Sequence, residues 1–390
     1  MPILDISLLG RLSSNYPAPI PVASTSPIYV SRPALPPRAN YQQYLDRIWG
    51  NRRVTNNGPL CRELELRLAE RFASPHLSFV TNGTVALQLM LRANALTGGV
   101  ITTPFSYVAT TNALLWEGLR PDFVDIEPHT FCLDPELVEA AIRPDTTAIL
   151  ATHVYGFPCQ HERLGEIARR HGLQLFYDAA HAFDVRLNGE AIVGWGDAST
   201  LSFHATKVFH TGEGGAVVCS NAEALLTLNR QRAFGHEGRD YLTVGINGKN
   251  SELHAAMGLA NLTVVDEQRE HRRVLSERYI DALADLPQLR CIDVRNYPGL
   301  EHNYGYFPII FADPIQRERT VAVLEAEQVY PRRYFEPSLN ELPFLDRELR
   351  VPCPVSERAA RTALCLPLYA DLPAEQVDRI ASLVRKSLWV

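Results

Sequence analysis

The chain has 390 residues and a formal net charge of −6, with 46 % hydrophobic and 21 % charged residues. That length suggests two domains, or one large domain with a smaller companion. Burial at this size, roughly 75 % of the unfolded surface at about 300 residues, folds a chain without disulfides or metal. The acidic balance offers no basic field to gather nucleic acid or anionic lipid, and no apolar run reaches the ~20 residues of a membrane span. Seven cysteines lie at least 12 residues apart with no CxxC pair, a pattern of reduced thiols. The opening stretch, Met1 to Gly10, carries an acid where a secretory signal needs a base. The expected compartment is the cytoplasm.

Seven prolines fall between residues 17 and 37, so residues 1–40 read as an extended arm. Tyr44, Leu45, Ile48 and Trp49 recur at helical spacing, placing the first helix from about residue 41. A helix at 61–72, built on Leu64, Leu66, Leu68 and Phe72, leads to a strand at 77–81 and an apolar helix at 85–96. Strands are expected at 100–103, 122–126, 147–152, 173–177, 199–203 and 215–219, with helices among them at 134–142 and 161–171. Strands alternating with helices make a mostly parallel sheet covered on both faces. Beyond Asn250 the pattern changes to a long helix at about 251–284, strands at 291–294 and 305–311, and helices at 314–328 and 373–387. A large α/β domain over 41–250 and a smaller α+β domain over 251–390 are expected.

Leu173 to Asp178 is an apolar strand ending in a carboxylate, and ligands of open α/β sheets sit at the carboxyl ends of strands. The same aspartate could equally cap the turn at Ala179-Ala180-His181. Ser202-Phe-His-Ala-Thr-Lys207-Val-Phe follows another expected strand. The apolar flanks of Lys207 disfavour an ammonium and favour a carbonyl-reactive amine, whereas a lone lysine more often snorkels into water. Thr81-Asn-Gly-Thr84 joins a strand to a helix, whose N-terminus suits an anion. Gly212-Glu-Gly-Gly215 fits no phosphate-loop pattern and reads as a tight turn. No GxSxG elbow, HExxH spacing or dinucleotide fingerprint is present. An anion-binding turn, a strand-end acid and, 29 residues later, an apolar-flanked lysine are together what pyridoxal phosphate requires.

Several blocks extend this reading: Thr55-Asn-Asn-Gly-Pro59, Asn82-Gly-Thr84, Thr103 to Thr110, Asp178-Ala-Ala-His-Ala-Phe183, Ser202 to Phe209, Gly212 to Gly215 and Gly245 to Ala256. With them the sequence resembles the DegT/StrS-type nucleotide-sugar aminotransferases, pyridoxal phosphate (PLP) enzymes of the aspartate-aminotransferase fold. The resemblance runs from about Leu35 to the C-terminus. It implies that Lys207 forms the Schiff base and shuttles the proton, Asp178 pairs with the pyridinium nitrogen and Tyr107 stacks on the ring. It places His181 beside the ring and Gly83, Thr84 and Ser202 at the phosphate. Asn247 and Lys249 fall where relatives extend a loop into the neighbouring subunit's site, which implies a homodimer with shared active sites. Asn250 replaces the methionine usual in that block.

The wording of these blocks is similar to that of transaminases making dTDP-4-amino-4,6-dideoxyglucose, enzymes of deoxysugar and polysaccharide (O-antigen) biosynthesis. The implied substrates are L-glutamate and dTDP-4-keto-6-deoxy-D-glucose. Relatives aminating at C3 share much of the wording. A dehydratase of the same fold replaces the lysine with histidine, and a non-catalytic sugar-nucleotide-binding homologue would not need both Lys207 and Asp178. Because the protein is acidic, charge for the diphosphate must be local. Lys249 and the run Arg332-Arg333-Tyr334-Phe335 offer it, although the arginine pair could instead be a solvated turn after Pro331.

Overall fold

The computed structural model describes residues 26–389; the first 25 residues of the expected arm lie outside them. One seven-stranded sheet forms the centre, in the spatial order Leu77–Val80, Gly215–Cys219, Ala198–Ser202, Gln174–Asp178, Thr146–Thr152, Gly99–Thr102 and Arg120–Phe123. Only Gly215–Cys219 runs against the rest. Inner strands such as Ala148–Thr152 are buried on both faces, as a sheet covered by helices on each side demands. A second, antiparallel sheet of Leu289–Cys291, Phe307–Phe311 and Ala363–Leu366 lies in the C-terminal part. It packs with Val265–Leu283, Pro314–Ala326 and Ala374–Ser387 around a core of its own.

Most expected elements are found within a few residues. The long helix at 251–284 is two, Glu252–Leu262 and Val265–Leu283. Val264 leaves the helical region, and the Thr263 hydroxyl donates back to the Ala260 carbonyl, a local bond that competes with the helix ladder. Glu252–Leu262 contributes Ala255, Ala256 and Leu259 to the core around Leu60, Leu64 and Phe79. The helix Val108–Trp116 has no counterpart in the sequence reading, because Val108, Thr110 and Thr111 are β-branched and weak helix formers. Of the Pro-rich arm, Ile28–Tyr29 pairs in parallel with Val329–Tyr330, and Val30 and Ala34 carbonyls accept from Leu368 N and His210 Nε2. That half of the arm is bound to the body of the protein.

Four helices begin with proline at the first position, and in two of them, Pro59–Phe72 and Pro354–Thr362, no side chain caps the start locally. Proline there is pre-set for the helix and has no N–H to lose. The next amides are satisfied from far away in sequence. Glu252 accepts from Leu60 N and Cys61 N, each at 2.9 Å. Asp125 accepts from Val355 N at 2.8 Å and Ser356 N at 2.9 Å. Both carboxylates are buried, and each meets the positive end of a helix. They tie Glu252–Leu262 to the first large-domain helices and the C-terminal part to the sheet. Among the described residues no helix is long and apolar enough to cross a membrane. Replacing Asp125 with alanine removes the acceptor of the Val355, Ser356 and Ile126 amides and should lower unfolding free energy by about 3 kcal/mol. Denaturant melts of Asp125→Ala and Asp125→Asn check this, with the asparagine variant losing less.

Candidate active site

The carboxyl ends of Gln174–Asp178 and Ala198–Ser202 lie side by side, with Asp178 in register with Thr200. They open onto a cavity of about 580 Å³. Its floor carries Asp178, His181, Ser202 and Lys207, one wall the helix start Gly83-Thr84, and another Tyr306, Arg332, Tyr334 and Phe335 of the C-terminal part. Asp178, His181, Ser202 and Lys207, expected together from sequence, are therefore together in space.

Asp178 is buried. Its Oδ2 accepts from the Thr110 hydroxyl at 2.7 Å and its Oδ1 from Ala180 N at 3.0 Å. The turn-capping role and the cavity-facing role thus coexist in one carboxylate. Burial holds its carboxyl above the usual range, against those two hydrogen bonds and the Lys207 charge. Lys207 is not a snorkelling lysine: its amine lies in the cavity, and burial lowers its pKa, with Asp178 acting in the opposite direction. Nζ donates to the Tyr306 hydroxyl at 3.1 Å. His181 Nδ1 accepts from Tyr155 N at 3.2 Å, which leaves the proton of the neutral ring on Nε2. Burial, then the Lys207 charge, hold this histidine well below its ordinary pKa. Its ring lies parallel to that of Phe335, with centroids 5.5 Å apart.

The helix Gly83–Ala93 starts at Asn82, whose side chain accepts from Val85 N at 2.8 Å. Among the described residues the amides of Gly83 and Thr84 have no acceptor, which leaves them free for an anion. Gly83 has no alternative, because a Cβ there would sit 2.9 Å from the Ser202 Cβ. Tyr107 precedes the next helix and is 55 % exposed, an aromatic face at the cavity wall with nothing over it among the described residues. Free amides with hydroxyls of Thr84 and Ser202, a carboxylate on the floor, an uncovered ring and a buried amine form a donor set that fits a phosphorylated pyridine aldehyde.

Other expected residues fall elsewhere. Arg332 and Tyr334 line the cavity, the guanidinium 5.1 Å from the Tyr334 ring centre. Arg333 does not: its side chain pairs with Glu318 at 2.6 Å. Asn247 and Lys249 are not in this cavity. Lys249 Nζ donates to Asn247 Oδ1 at 2.7 Å and sits 4.3 Å from the Phe234 ring centre, with its pKa lowered by burial and by Arg232. Gly212 to Gly215 form a turn into the strand Gly215–Cys219, where Thr211 Oγ1 donates to Glu213 O at 2.7 Å. Asn250 donates to both Val80 O and Glu213 O, at 3.0 and 3.2 Å, so the departure from methionine joins that turn to the sheet edge. Sequence reasoning missed Thr110 and Tyr306. Thr110 lies inside a quoted block, but nothing marks its hydroxyl, and no spacing rule links Tyr306 to a lysine 99 residues before it.

Residues 37–385 match the family described as the DegT/DnrJ/EryC1/StrS aminotransferase family. A dTDP-4-amino-4,6-dideoxy-D-glucose transaminase of Shigella dysenteriae is 38 % identical over 369 residues, 92 % of this chain and 99 % of that protein. The crystal structure of DesI in the presence of its TDP-sugar product superposes with a TM-score of 0.88 at 37 % identity, covering 94 % of each chain. The structure of ntda from Bacillus subtilis with bound cofactor PMP gives a TM-score of 0.82 at 27 % identity, over 90 % of this chain and 81 % of that one. A family match across nearly the whole chain, around a lysine and a carboxylate held in one cavity, places this protein in the DegT/DnrJ/EryC1/StrS aminotransferase family.

Proposed function

We propose that this protein transfers the amino group of L-glutamate to dTDP-4-keto-6-deoxy-D-glucose, giving dTDP-4-amino-4,6-dideoxyglucose. It would do so as a cytoplasmic homodimer with shared active sites, in the biosynthesis of deoxysugars for O-antigen or other polysaccharides. The observation that carries the substrate is the near full-length similarity to the Shigella dysenteriae transaminase named for that product. The seven cysteines are all free, which suits a reducing compartment.

The cofactor of this family is pyridoxal 5′-phosphate, which when bound supplies the carbonyl that takes the amino group and a ring that accepts electrons from the Cα–H bond. Gly83, Thr84 and Ser202 hold the phosphate, by free amides and a hydroxyl. Asp178 keeps the ring nitrogen protonated, and Thr110 fixes the carboxylate that does so. His181 offers its Nε2–H beside the ring, and Tyr107 covers the face. Lys207, made a weaker base by burial, takes the donor's α-proton on Nζ. Arg332 and Tyr334 meet the anionic part of the substrates at the mouth. Asn247 and Lys249 serve the neighbouring subunit's cavity, which accords with their position outside this one. Arg333, neutralised by Glu318, has no part.

Lys207→Ala should fold and lose both transamination and any borohydride-trapped adduct, which mass spectrometry reads. Asp178→Asn should cut turnover by at least ~100-fold, the effect of removing a preorganised charge of about 3 kcal/mol. Its stability should move the other way. The carboxyl's folded-state pKa lies above its unfolded one, so the ionised form opposes folding at neutral pH, and that penalty fades as pH falls through the folded value. Cofactor-free Asp178→Asn should therefore melt no lower than wild type at neutral pH, with its advantage shrinking on acidification.

Mixing inactive Lys207→Ala with inactive Lys249→Glu under subunit exchange should restore about a quarter of wild-type activity, one intact site in each mixed dimer. No recovery despite proven exchange would remove the shared site. Ping-pong kinetics are expected. The pyridoxamine form should regain its pyridoxal spectrum fastest with the 4-keto dTDP-sugar. A faster return with the 3-keto or GDP-linked sugar would overturn the substrate and leave the aminotransferase.

A further inference from the structure

Among the described residues Lys207 Nζ has one hydrogen-bond partner, the Tyr306 hydroxyl at 3.1 Å. Tyr306 comes from the C-terminal part, directly before the strand Phe307–Phe311, and its place does not depend on the lysine. Asn303 donates to His181 O at 2.8 Å and Phe183 O at 2.9 Å, while His302 Nε2 pairs with Tyr155 O at 3.0 Å. Gly305 N closes the turn on Asn303 Oδ1 at 3.0 Å. A side chain at Gly305 would meet Val208 at 3.1 Å, so glycine lets this turn lie against the residue that follows Lys207. The Tyr306 ring is then boxed in by His181 at 4.6 Å and by Tyr155 and Tyr334, each at 5.8 Å between ring centres. A fixed phenol oxygen faces the end of a flexible, four-carbon side chain.

A transaminase lysine must leave the cofactor and return to it in each half-reaction, and while free it carries a proton. Burial alone works against the protonated amine, and a free lysine side chain has many rotamers to lose. On the reading that Lys207 is the reactive amine, we propose that Tyr306 is the acceptor on which the released lysine rests, its hydroxyl oxygen holding the protonated amine beside the reacting carbon. Lys207 as neutral amine takes the proton from the donor's Cα, bonds as ammonium to Tyr306, then gives the same proton up to the cofactor's carbon. No electrons or protons pass through the phenol. Burial raises the Tyr306 pKa, which keeps the hydroxyl protonated and an acceptor. The other groups facing Lys207 are Asp178, His181, Tyr334 and Tyr107, and a Tyr306→Phe change leaves all four in place.

The test uses the full-length holoenzyme in its pyridoxamine form, in which Lys207 is not bonded to the cofactor. Competitive acetylation of Lys207 with acetic anhydride, read by mass spectrometry over roughly pH 6 to 11, gives the midpoint at which the amine becomes reactive. Losing a hydrogen bond to the charged form should move that midpoint down by about one pH unit in Tyr306→Phe. The donor's KM should be little changed and kcat reduced. Tyr334→Phe, which removes a phenol not bonded to Nζ, should move the midpoint much less. An unmoved or rising midpoint in Tyr306→Phe overturns the proposal, and so does an equal fall in Tyr334→Phe. If Tyr306→Phe retains cofactor poorly, the same titration on full-length cofactor-free protein, variant against wild type, decides in the same way. In the pyridoxal form Lys207 should be protected from acetylation. Equal labelling of the two cofactor forms would instead remove Lys207 as the attachment point, an outcome separate from the role of Tyr306.

Discussion

The site depends on keeping an acid and a base buried together at the ends of two adjacent parallel strands. Desolvation penalises both charges and drives Asp178 and Lys207 toward neutrality. Their attraction offsets part of that, and so do the hydrogen bonds from Thr110 and Ala180 to the carboxylate. The surroundings follow from this constraint. A helix must place Thr110 over the acid, a turn must offer Ala180 N, and the C-terminal part must close the cavity over the lysine. Perturbed groups of this kind collect at functional sites because the same burial that is costly for folding tunes the chemistry.

Closing the cavity requires the C-terminal part to be held firmly against the sheet. Asp125 does this from the large domain by occupying the start of Pro354–Thr362, and Asn303 does it from the other side by bonding the turn that carries His181. The opposite arrangement operates at Glu252, which reaches back to the start of Pro59–Phe72. In each case a proline removes one donor and a distant side chain supplies acceptors for the next. Helix starts, usually a local matter of a capping residue, here become long-range ties.

The division of charge along Arg332-Arg333-Tyr334 shows the same logic on a smaller scale. Arg332, held in a backbone bridge, enters the cavity mouth while Arg333 is paired with Glu318. The bridge joins Arg332 to Cys365, with hydrogen bonds of 3.0 and 2.8 Å. The cavity mouth thereby carries Arg332 while Arg333 is already paired.

The strand-end acid, the lysine block, the anion-binding turn and most of the strands and helices were determined by the sequence, because each depends on neighbours within a few positions; Val108–Trp116 and the division at Thr263-Val264 were not. Apolar runs make strands, helical spacing makes helices, and Asn82-Gly83 makes a capped turn with free amides whatever surrounds it. Contacts between positions far apart were decided by the tertiary structure alone. Glu252 meets Leu60 across 192 positions and Asp125 meets Val355 across 230; the break at Thr263-Val264 interrupts a helical pattern that continues on either side. Nothing local in His302-Asn-Tyr-Gly-Tyr306 shows that its last hydroxyl reaches Lys207, or that Arg332 and not Arg333 lines the cavity. Such pairings arise when packed layers bring chain segments to one place, and a hydrophobic period records which face is buried but not what it is buried against.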